Sequence, residues 1–385
     1  MFEPELNDQQ RLIQETARRL AEERFKPGAA RADREHEPPV GNIKVLAEHG
    51  FCGMALPEAY GGSGLGVFDM VLVIEQVARA CANTAMLMSC TEGATARAIL
   101  QVGSEAQKGK YLPKFARGEL LSAWSMSEPN AGSDVGAIAT RAVRDGEHYV
   151  INGAKLWCSF ASVSDVFLVM VRLDPAPGMK GLGALLVERD TPGFSIGRRL
   201  DLIGLRATGM SELAFDDCRV PAENLIIPAG GIGKLLSVLD ADRIGGNPPI
   251  CLGVAAAAFD AAVRHLKERV QFGKPLADNQ GLQWKLADMA IDIEAGRALL
   301  YRAALRVDAH KNSMADASIA KTFVNEMAIR VTNQAIQLAG ASGLAQELPF
   351  EQYFRDVRGM AIGYGTTEIL RNSIAREVLA GRYRP

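Results

Sequence analysis

Four short segments of the 385-residue chain combine residue types that could bind a cofactor or support a reaction. The first, WSMSEPNAGSDV (124–135), carries hydroxyls and glycines where a strand-like run passes into a loop. Backbone N–H groups in such a loop can bind an anion or a polar heterocycle. The second, KLWCS (155–159), places an aromatic ring beside a hydroxyl. Together they predict a ligand site in the middle of the chain.

The other two segments lie in the last third of the chain. ERVQFGKPL (268–276) ends one helical pattern, and GYGTTEILRN (363–372) precedes the last one, where Thr366 is suited to cap a helix. The sequence has no Walker loop, no GxSxG elbow and no HExxH motif, and its five histidines lack the spacing of metal ligands. We therefore predict no metal site.

Hydrophobic periodicity divides the chain into three regions. Residues 1–120 show helical spacing, and residues 121–229 show short alternating runs separated by turn dipeptides. Asp145-Gly146 and Asn152-Gly153 are typical of hairpin turns. Residues 230–385 return to helical spacing. The pattern predicts an α+β fold with an N-terminal helical domain, a central antiparallel β-barrel domain and a C-terminal four-helix bundle.

The helices predicted for the bundle are Leu235–Gln271, Asn279–Lys311, Met314–Gly340 and Thr367–Gly381. The first of them contains Gly245-Gly246-Asn247-Pro248-Pro249, and proline within a helix breaks its hydrogen-bond ladder.

Composition narrows the class of protein. With 43 Lys+Arg against 45 Asp+Glu the formal net charge is −2, which argues against a polybasic nucleic-acid surface. The longest apolar run, around Ile250–Phe259, is shorter than the roughly 18–20 residues that span a bilayer. The N-terminus lacks signal-peptide architecture, and the six cysteines lack disulfide or zinc spacing. We expect a cytoplasmic protein with no membrane or nucleic-acid partner.

Taken together and in order, the motifs resemble those of the acyl-CoA dehydrogenase family over essentially the whole chain. The resemblance implies an FAD cofactor, an acyl-CoA substrate, an electron-transferring flavoprotein as electron acceptor, and a homotetramer or dimer of dimers. The matching stretches are MSEPNAGSDV, INGAKLWCS, GLRATGMSEL with FDDCRVPAENLI, RVQFGKPLADNQ, QLAGASG and YGTTEILRNSIARE.

The resemblance also implies roles for single residues. Those assigned to FAD within one subunit are Trp124, Met126, Ser127, Gly132, Ser133, Trp157, Ser159, Thr366 and Glu368. Those assigned to FAD of a neighbouring subunit are Arg269, Phe272, Gln280, Gln337 and Gly340. Those assigned to the acyl-CoA are Ser133, Asp240 and Arg243.

The catalytic base is where the sequence departs from most of the family. Tyr364 stands where most members have Glu, and an ordinary tyrosine, with a pKa of about 10, is a poor base at neutral pH. A branch of the family has its Glu directly before an Arg, and here Asp242 precedes Arg243. We predict Asp242 as the base, with Tyr364 against the acyl group. The segment after Arg243 is one residue longer than the family pattern, and Glu92 is a further candidate.

The predicted function is α,β-dehydrogenation of an acyl-CoA to the 2,3-enoyl-CoA. The unusual base favours a branched, cyclic or otherwise atypical acyl group by analogy. Two alternatives stay open at this point. The same fold and flavin could carry out desulfination or oxygenation of an acyl thioester, or the chain could be a catalytically silent subunit that binds acyl-CoA.

Overall fold

The computed structural model describes residues 5–233, 241, 243–311 and 314–384. Asp240 and Asp242, predicted for substrate binding and catalysis, lie outside the described residues. A helical region, a sheet region and a second helical region follow one another, as the sequence predicted.

Local capping fixes the helices of the N-terminal region. Asn7 and Gln10 form a reciprocal capping box at the first helix. Asp308, from far along the chain, accepts hydrogen bonds from the N–H groups of Val67 and Phe68 and so caps a later helix. The helices are α1 (Asp8–Leu20), α2 (Lys26–Glu35), α3 (Val40–Glu48), α4 (Val67–Ala80), α5 (Ala82–Glu92), α6 (Ala94–Val102) and α7 (Glu105–Ala116).

The central region is a mostly antiparallel sheet. Its strands are β1 (Ser122–Ser125), β2 (Arg141–Asp145), β3 (His148–Cys158), β4 (Val166–Arg172), β5 (Leu182–Glu188), β6 (Phe194–Arg199), β7 (Ser211–Pro221) and β8 (Leu225–Ile227). They are ordered β6-β7-β3-β2-β4-β5-β8, with β1 parallel to β4. Within the described residues β6 and β8 do not pair with each other, so the predicted closed barrel is not confirmed.

One of the two predicted hairpin turns is wrong. Asp145-Gly146 does turn the chain from β2 into β3. Asn152-Gly153 instead lies inside β3, where the pairing with β7 shifts register between Ile151 and Gly153. Gly153 has a φ of 143°, and a Cβ there would lie 2.8 Å from the Thr140 Cα. The glycine therefore permits a bulge and a close strand contact rather than a turn.

The C-terminal region contains five helices within the described residues. They are α8 (Asn247–Glu268), α9 (Gln280–Asp308), α10 (Met314–Ala339), α11 (Phe350–Arg358) and α12 (Thr367–Leu379). A short hairpin of β9 (Val270–Gln271) and β10 (Lys274–Pro275) separates α8 from α9. The sequence did not predict α11. The helix α8 begins at Asn247, directly after helical residues 243–245 and a turn at Gly246, and the start predicted at Leu235 lies outside the described residues. Pro248 lies in the first turn, where its missing N–H costs no helical hydrogen bond.

The helix α8 forms the centre of the helical core. Among the described residues, one helix, Arg243–Glu268, is long and apolar enough to cross a membrane by length and composition, but 72% of its most apolar window is buried inside the protein. Gly253 explains how closely α4 approaches, because a Cβ there would lie 2.3 Å from the Glu75 carbonyl oxygen. We therefore attribute the apolar character of the Arg243–Glu268 helix to packing within the core.

Candidate active site

The strands β1 and β3 bring the first two sequence motifs together. The Leu156 N–H donates to the Ser127 carbonyl over 2.9 Å, and the Cys158 thiol lies 3.8 Å from the Trp124 carbonyl oxygen. This pairing places Trp124 and Ser127 beside the segment that carries Trp157. The two segments that carry five of the predicted flavin contacts therefore lie side by side, and these residues are Trp124, Met126, Ser127, Trp157 and Ser159.

Trp157 adopts an uncommon backbone conformation at this face. Its φ is 66°, and the pairing of β3 with β7 shifts register between Lys155 and Cys158. Bulges of this kind change the direction in which a side chain points. The indole is 53% exposed although the side chain is large and apolar. A non-glycine residue held in this region of φ, with its ring left accessible, is typical of a ligand contact.

A buried ion pair joins the two segments behind Trp157. The Lys155 Nζ is 2.8 Å from Glu128 Oε1 and also donates to the Met126 carbonyl over 3.0 Å. Glu128 in turn accepts hydrogen bonds from the N–H groups of Ala139 and Thr140. Burial lowers the pKa of Lys155 to about 8, against the attraction of Glu128. Burial alone would raise the pKa of Glu128, but the Lys155 charge and the hydrogen bonds hold it below its usual value. Both groups are therefore charged at neutral pH.

The loop after Glu128 offers hydrogen-bond donors to a ligand. Gly132 and Ser133 are exposed, and their N–H groups make no hydrogen bond to another residue in the described part of the chain. These donors suit a pyrophosphate, and the exposed face of Trp157 suits a flat heterocycle. The residues present therefore fit FAD, with its flavin ring and its pyrophosphate.

A second group of predicted residues meets at the loop before α12. The Arg243 Nε donates to the Tyr364 carbonyl over 3.4 Å. Thr366 caps α12, as predicted, because its hydroxyl accepts from the Ile369 N–H over 3.3 Å. Tyr364 has a φ of 58°, so its backbone is in the left-handed region. The structure thus joins Arg243, Tyr364 and Thr366, whereas Glu368 is exposed on the first turn of α12.

The residues predicted to reach a neighbouring subunit lie on the outer surface. Phe272, at the tip of the β9–β10 hairpin, is fully exposed with a φ of 51°. In the described residues, no hydrogen bond or ion pair connects these positions with the segment of Trp157. All of them are exposed, namely Arg269, Phe272, Gln280, Gln337 and Gly340.

Glu92, the third base candidate, is a buried carboxyl group at the end of α5. It is 4% exposed, and its Oε2 accepts a hydrogen bond from the Met54 N–H over 3.2 Å. Its Oε1 is also buried and has no hydrogen-bond partner in the part of the chain that the structure describes. Burial raises the pKa of Glu92 to about 8, although the Met54 N–H and the charge of Arg97 oppose the rise. The carboxyl is therefore largely protonated at neutral pH.

Replacing Glu92 with Gln should stabilise the protein increasingly as pH rises. The unfolded chain releases this proton near pH 4.5, whereas the folded protein holds it to about pH 8. Folded wild-type protein therefore loses stability across that window, by up to about 1.4 kcal/mol per pH unit. We expect E92Q to gain about 3–4 kcal/mol relative to wild type between roughly pH 5 and pH 8. Urea unfolding at several pH values measures this.

The control for this experiment is Glu58→Gln, which changes an exposed carboxylate in the same helical region. Its difference from wild type should not vary with pH. An E92Q difference that is equally flat would show that the Glu92 carboxyl is ionised in the folded protein.

Sequence reasoning missed several polar residues that support the site. Lys155 and Glu128 were within recognised motifs but received no role, and Lys321 and Asn325 were not noticed. The sequence signal for Lys321 was a lone basic residue between Ala317 and Val324 on one side of α10, and the structure shows that its side chain is fully buried. Buried charged groups are rare unless they are paired.

Comparison with known proteins matches the order of regions just described. Three family models cover the chain: the acyl-CoA dehydrogenase N-terminal domain at residues 7–119, the middle domain at 123–218 and the C-terminal domain at 230–379. The chain is 39% identical to the acryloyl-CoA reductase (NADH) of Anaerotignum propionicum, over 97% of this chain and 95% of the relative.

Solved structures agree in fold across the full length. Butyryl-CoA dehydrogenase from Megasphaera elsdenii has a TM-score of 0.94 at 35% identity, covering 98% of this chain and 100% of that one. A chain from work on the electron transferring flavoprotein of Acidaminococcus fermentans has a TM-score of 0.95 at 35% identity, with coverage of 98% and 100%. PigA with FAD and proline has a TM-score of 0.94 at 27% identity, with coverage of 99% and 100%.

Fold and site together define a flavin-dependent oxidoreductase built from two helical regions around a sheet. The chain belongs to the acyl-CoA dehydrogenase family, whose members use FAD and act on CH–CH bonds. The predicted family and cofactor are thereby confirmed, whereas the individual site residues and the domain boundaries at 120 and 229 stay predictions.

Proposed function

We propose that this protein removes two hydrogens from the α- and β-carbons of an acyl-CoA thioester to give the 2,3-enoyl-CoA. The observation that carries the proposal is the half-exposed ring of Trp157, held by a left-handed backbone, together with a loop whose Gly132 and Ser133 N–H groups have no partner among the described residues. Such a surface suits a flat heterocycle with a pyrophosphate. FAD, when bound, supplies the two-electron oxidant for the family's reaction.

Different residues of the chain bind different parts of FAD. Gly132 and Ser133 contribute backbone donors for the pyrophosphate, and Ser133 also reaches the acyl-CoA. Trp124, Met126 and Ser127 line one side of the flavin, and Trp157 with Ser159 lines another. The buried pair of Lys155 and Glu128 supports this arrangement, because it fixes the Met126 carbonyl and two neighbouring N–H groups.

Asp242 is the proposed base that accepts the α-proton. Arg243, the next residue in the chain, donates to the carbonyl of Tyr364, so this part of the chain adjoins the loop on which most of the family carries its base. Asp240 and Arg243 hold the CoA side of the substrate. The phenol of Tyr364 packs against the acyl group. It is not the proposed base, because a phenol of high intrinsic pKa is a poor proton acceptor at neutral pH.

A second copy of the chain completes the FAD site in this proposal. Phe272 is a large apolar side chain with full exposure, and Trp284 and Ile291 on α9 are also exposed, at 63% and 66%. Apolar surface of this kind marks an interface between proteins. The exposed Arg269 suits the phosphate of a partner's FAD, because its planar fork pairs with phosphate oxygens.

Other features of the proposal rest on similarity. An electron-transferring flavoprotein is the proposed electron acceptor, in keeping with the structural relative from Acidaminococcus fermentans. The proposed setting is the cytoplasm, and the proposed assembly is a homotetramer. A branched, cyclic or otherwise atypical acyl group is favoured, because the residue at the common base position is Tyr364. Desulfination or oxygenation of an acyl thioester is the second candidate, since neither requires a strong base at that position.

Anaerobic mixing of the FAD-loaded protein with acyl-CoAs tests the function. Straight, branched, cyclic and sulfinated acyl-CoAs should be compared, and at least one unsulfinated compound should bleach the flavin absorbance, as expected for two-electron reduction. The acyl product should then be the 2,3-enoyl-CoA by mass spectrometry. Sulfite release or oxygen uptake without anaerobic bleaching would instead support the second candidate. Protein that binds acyl-CoA but shows none of these reactions would be a silent subunit.

A further inference from the structure

The loop between α11 and α12 is held by polar side chains from other helices. The Lys321 Nζ donates to the Gly365 carbonyl over 2.9 Å and to the Met360 carbonyl over 3.4 Å. The side-chain amides of Asn325 and Asn247 donate to the same Met360 carbonyl, over 2.7 Å and 2.9 Å. The helices α8 and α10 thus fix both ends of the loop.

At Tyr364 and Gly365, side chains from other helices rather than the loop's own backbone hold the conformation of the loop. Among the described residues, Ile362 and Gly363 donate to the Gly359 carbonyl at the beginning of the loop, which opens with a short 3-10 turn at Gly359–Ala361. Tyr364 and Gly365 then follow with φ angles of 58° and 90°, an uncommon pair of left-handed residues. The described partners of their carbonyl oxygens are side chains, Arg243 for Tyr364 and Lys321 for Gly365. Backbone held in this way depends on those side chains for its conformation.

Burial of the Lys321 ammonium group is unfavourable unless the group makes hydrogen bonds in the folded protein. The side chain is fully buried, and an apolar residue would pack beside its buried neighbours Ala320 and Val324 at lower cost. Burial, with a smaller contribution from the charge of Arg243, lowers the pKa of Lys321 to about 8, and Cys251 opposes the change. Three hydrogen-bond donors on one ammonium group allow it to hold two carbonyls at once.

We propose that Lys321 is a positioning residue for the reaction, because its two hydrogen bonds fix the backbone that carries Tyr364 and Thr366. Tyr364 then faces the acyl group in one orientation, and Thr366 caps α12 beside the cofactor. Lys321 itself contacts neither substrate nor FAD in this proposal. The part that concerns catalysis rests on the proposed function, whereas the part that concerns the loop does not.

The variant Lys321→Met tests the proposal in the FAD-loaded protein, because Met has similar length and no donor. We expect flavin reduction at saturating acyl-CoA to slow about 10- to 100-fold, since small misplacement of a site is costly. The KM for acyl-CoA should change by less than about threefold, because the positioned groups act on the reacting end of the substrate. A second variant, Lys321→Gln, keeps the site polar and serves if K321M does not fold.

The matched control is Ser318→Ala, one turn earlier on α10. Ser318 is fully buried, and its hydroxyl has no hydrogen-bond partner in the described chain. This variant alters the same helix without touching the loop, so its flavin reduction should equal that of wild type. Equal slowing in S318A and K321M would assign the effect to helix packing and overturn the proposal.

Hydrogen exchange separates failure of this inference from failure of the proposed function. Amide exchange in residues 359–366 should be faster in K321M than in wild type, with the rest of α10 unchanged. The exchange measurement needs no substrate, so it tests the role of Lys321 in the loop even if no acyl-CoA reduces the flavin. Unchanged exchange in the loop, or faster exchange throughout the helical bundle, would contradict the proposal.

Discussion

Replacing Asp242 with Asn should lower the rate of flavin reduction by acyl-CoA about 10²- to 10⁴-fold, which is the usual contribution of a general base. Asn has the shape of Asp but cannot accept a proton at neutral pH. The α-proton of a thioester is too weakly acidic to leave without an acceptor, so the loss should appear in the rate rather than in acyl-CoA binding. Anaerobic stopped-flow measurement of flavin bleaching at saturating substrate determines it.

Two variants serve as comparison for the Asp242 experiment. Tyr364→Phe removes only the phenol oxygen and should slow the reaction less than about tenfold, because the group does not take up the proton. Glu92→Gln should leave the rate near that of wild type, since the folded protein already keeps Glu92 largely protonated at neutral pH. Full activity in D242N together with loss in E92Q would transfer the role of base to Glu92.

Replacing Lys155 with Met should destabilise the folded protein by about 3–5 kcal/mol, the typical result of leaving one member of a buried ion pair unpaired. The Lys155 side chain is fully buried and that of Glu128 is 7% exposed, so solvent cannot compensate the remaining carboxylate. Loss of the bond to the Met126 carbonyl should also loosen the predicted flavin contacts. Urea unfolding at neutral pH gives the stability, and titration of the flavin-free protein with FAD gives the affinity.

The double variant E128Q/K155M isolates the cause of this effect. Removing the charge of Glu128 as well should restore a large part of the lost stability, because no buried charge then lacks a partner. The exposed control is Arg219→Met, which breaks the ion pair with Asp145. The Arg219 and Asp145 side chains are 50% and 59% exposed, so this variant should lose less than about 1 kcal/mol of stability. A double variant as unstable as K155M would show that packing, rather than charge, explains the loss.

The sequence predicted the order of helical and sheet regions because periodicity is a local property. The helical spacing of residues 1–120 corresponds to α1 to α7, and the short runs of residues 121–229 include β4 and β5, which are apolar and buried along almost their whole length. The Asn152-Gly153 dipeptide was misread because the same residues serve a tight turn and a strand bulge, and only the contact with Thr140 distinguishes them. The helix α11 was missed because its nine residues are shorter than a pattern that periodicity can identify.

The candidate site was predictable where it consists of contiguous motifs. Thr366 as a helix cap follows from a short segment, and the structure pairs the backbone of Ser127 with that of Leu156, next to Trp157. The donors to the Met360 carbonyl could not be foreseen, because Asn247 and Asn325 lie far apart in the sequence and meet only through helix packing. The raised pKa of Glu92 has the same origin, since burial depends on the whole fold.

The contact at Gly253 limits which substitutions the helical core can accept. Because α8 meets the Glu75 carbonyl without an intervening side chain, no rotamer change can absorb a shift between α4 and α8. Substitutions that enlarge residues at this crossing would therefore displace α4 and α8 as whole helices. Libraries of variants should leave this crossing unchanged and vary positions at which a side chain can yield.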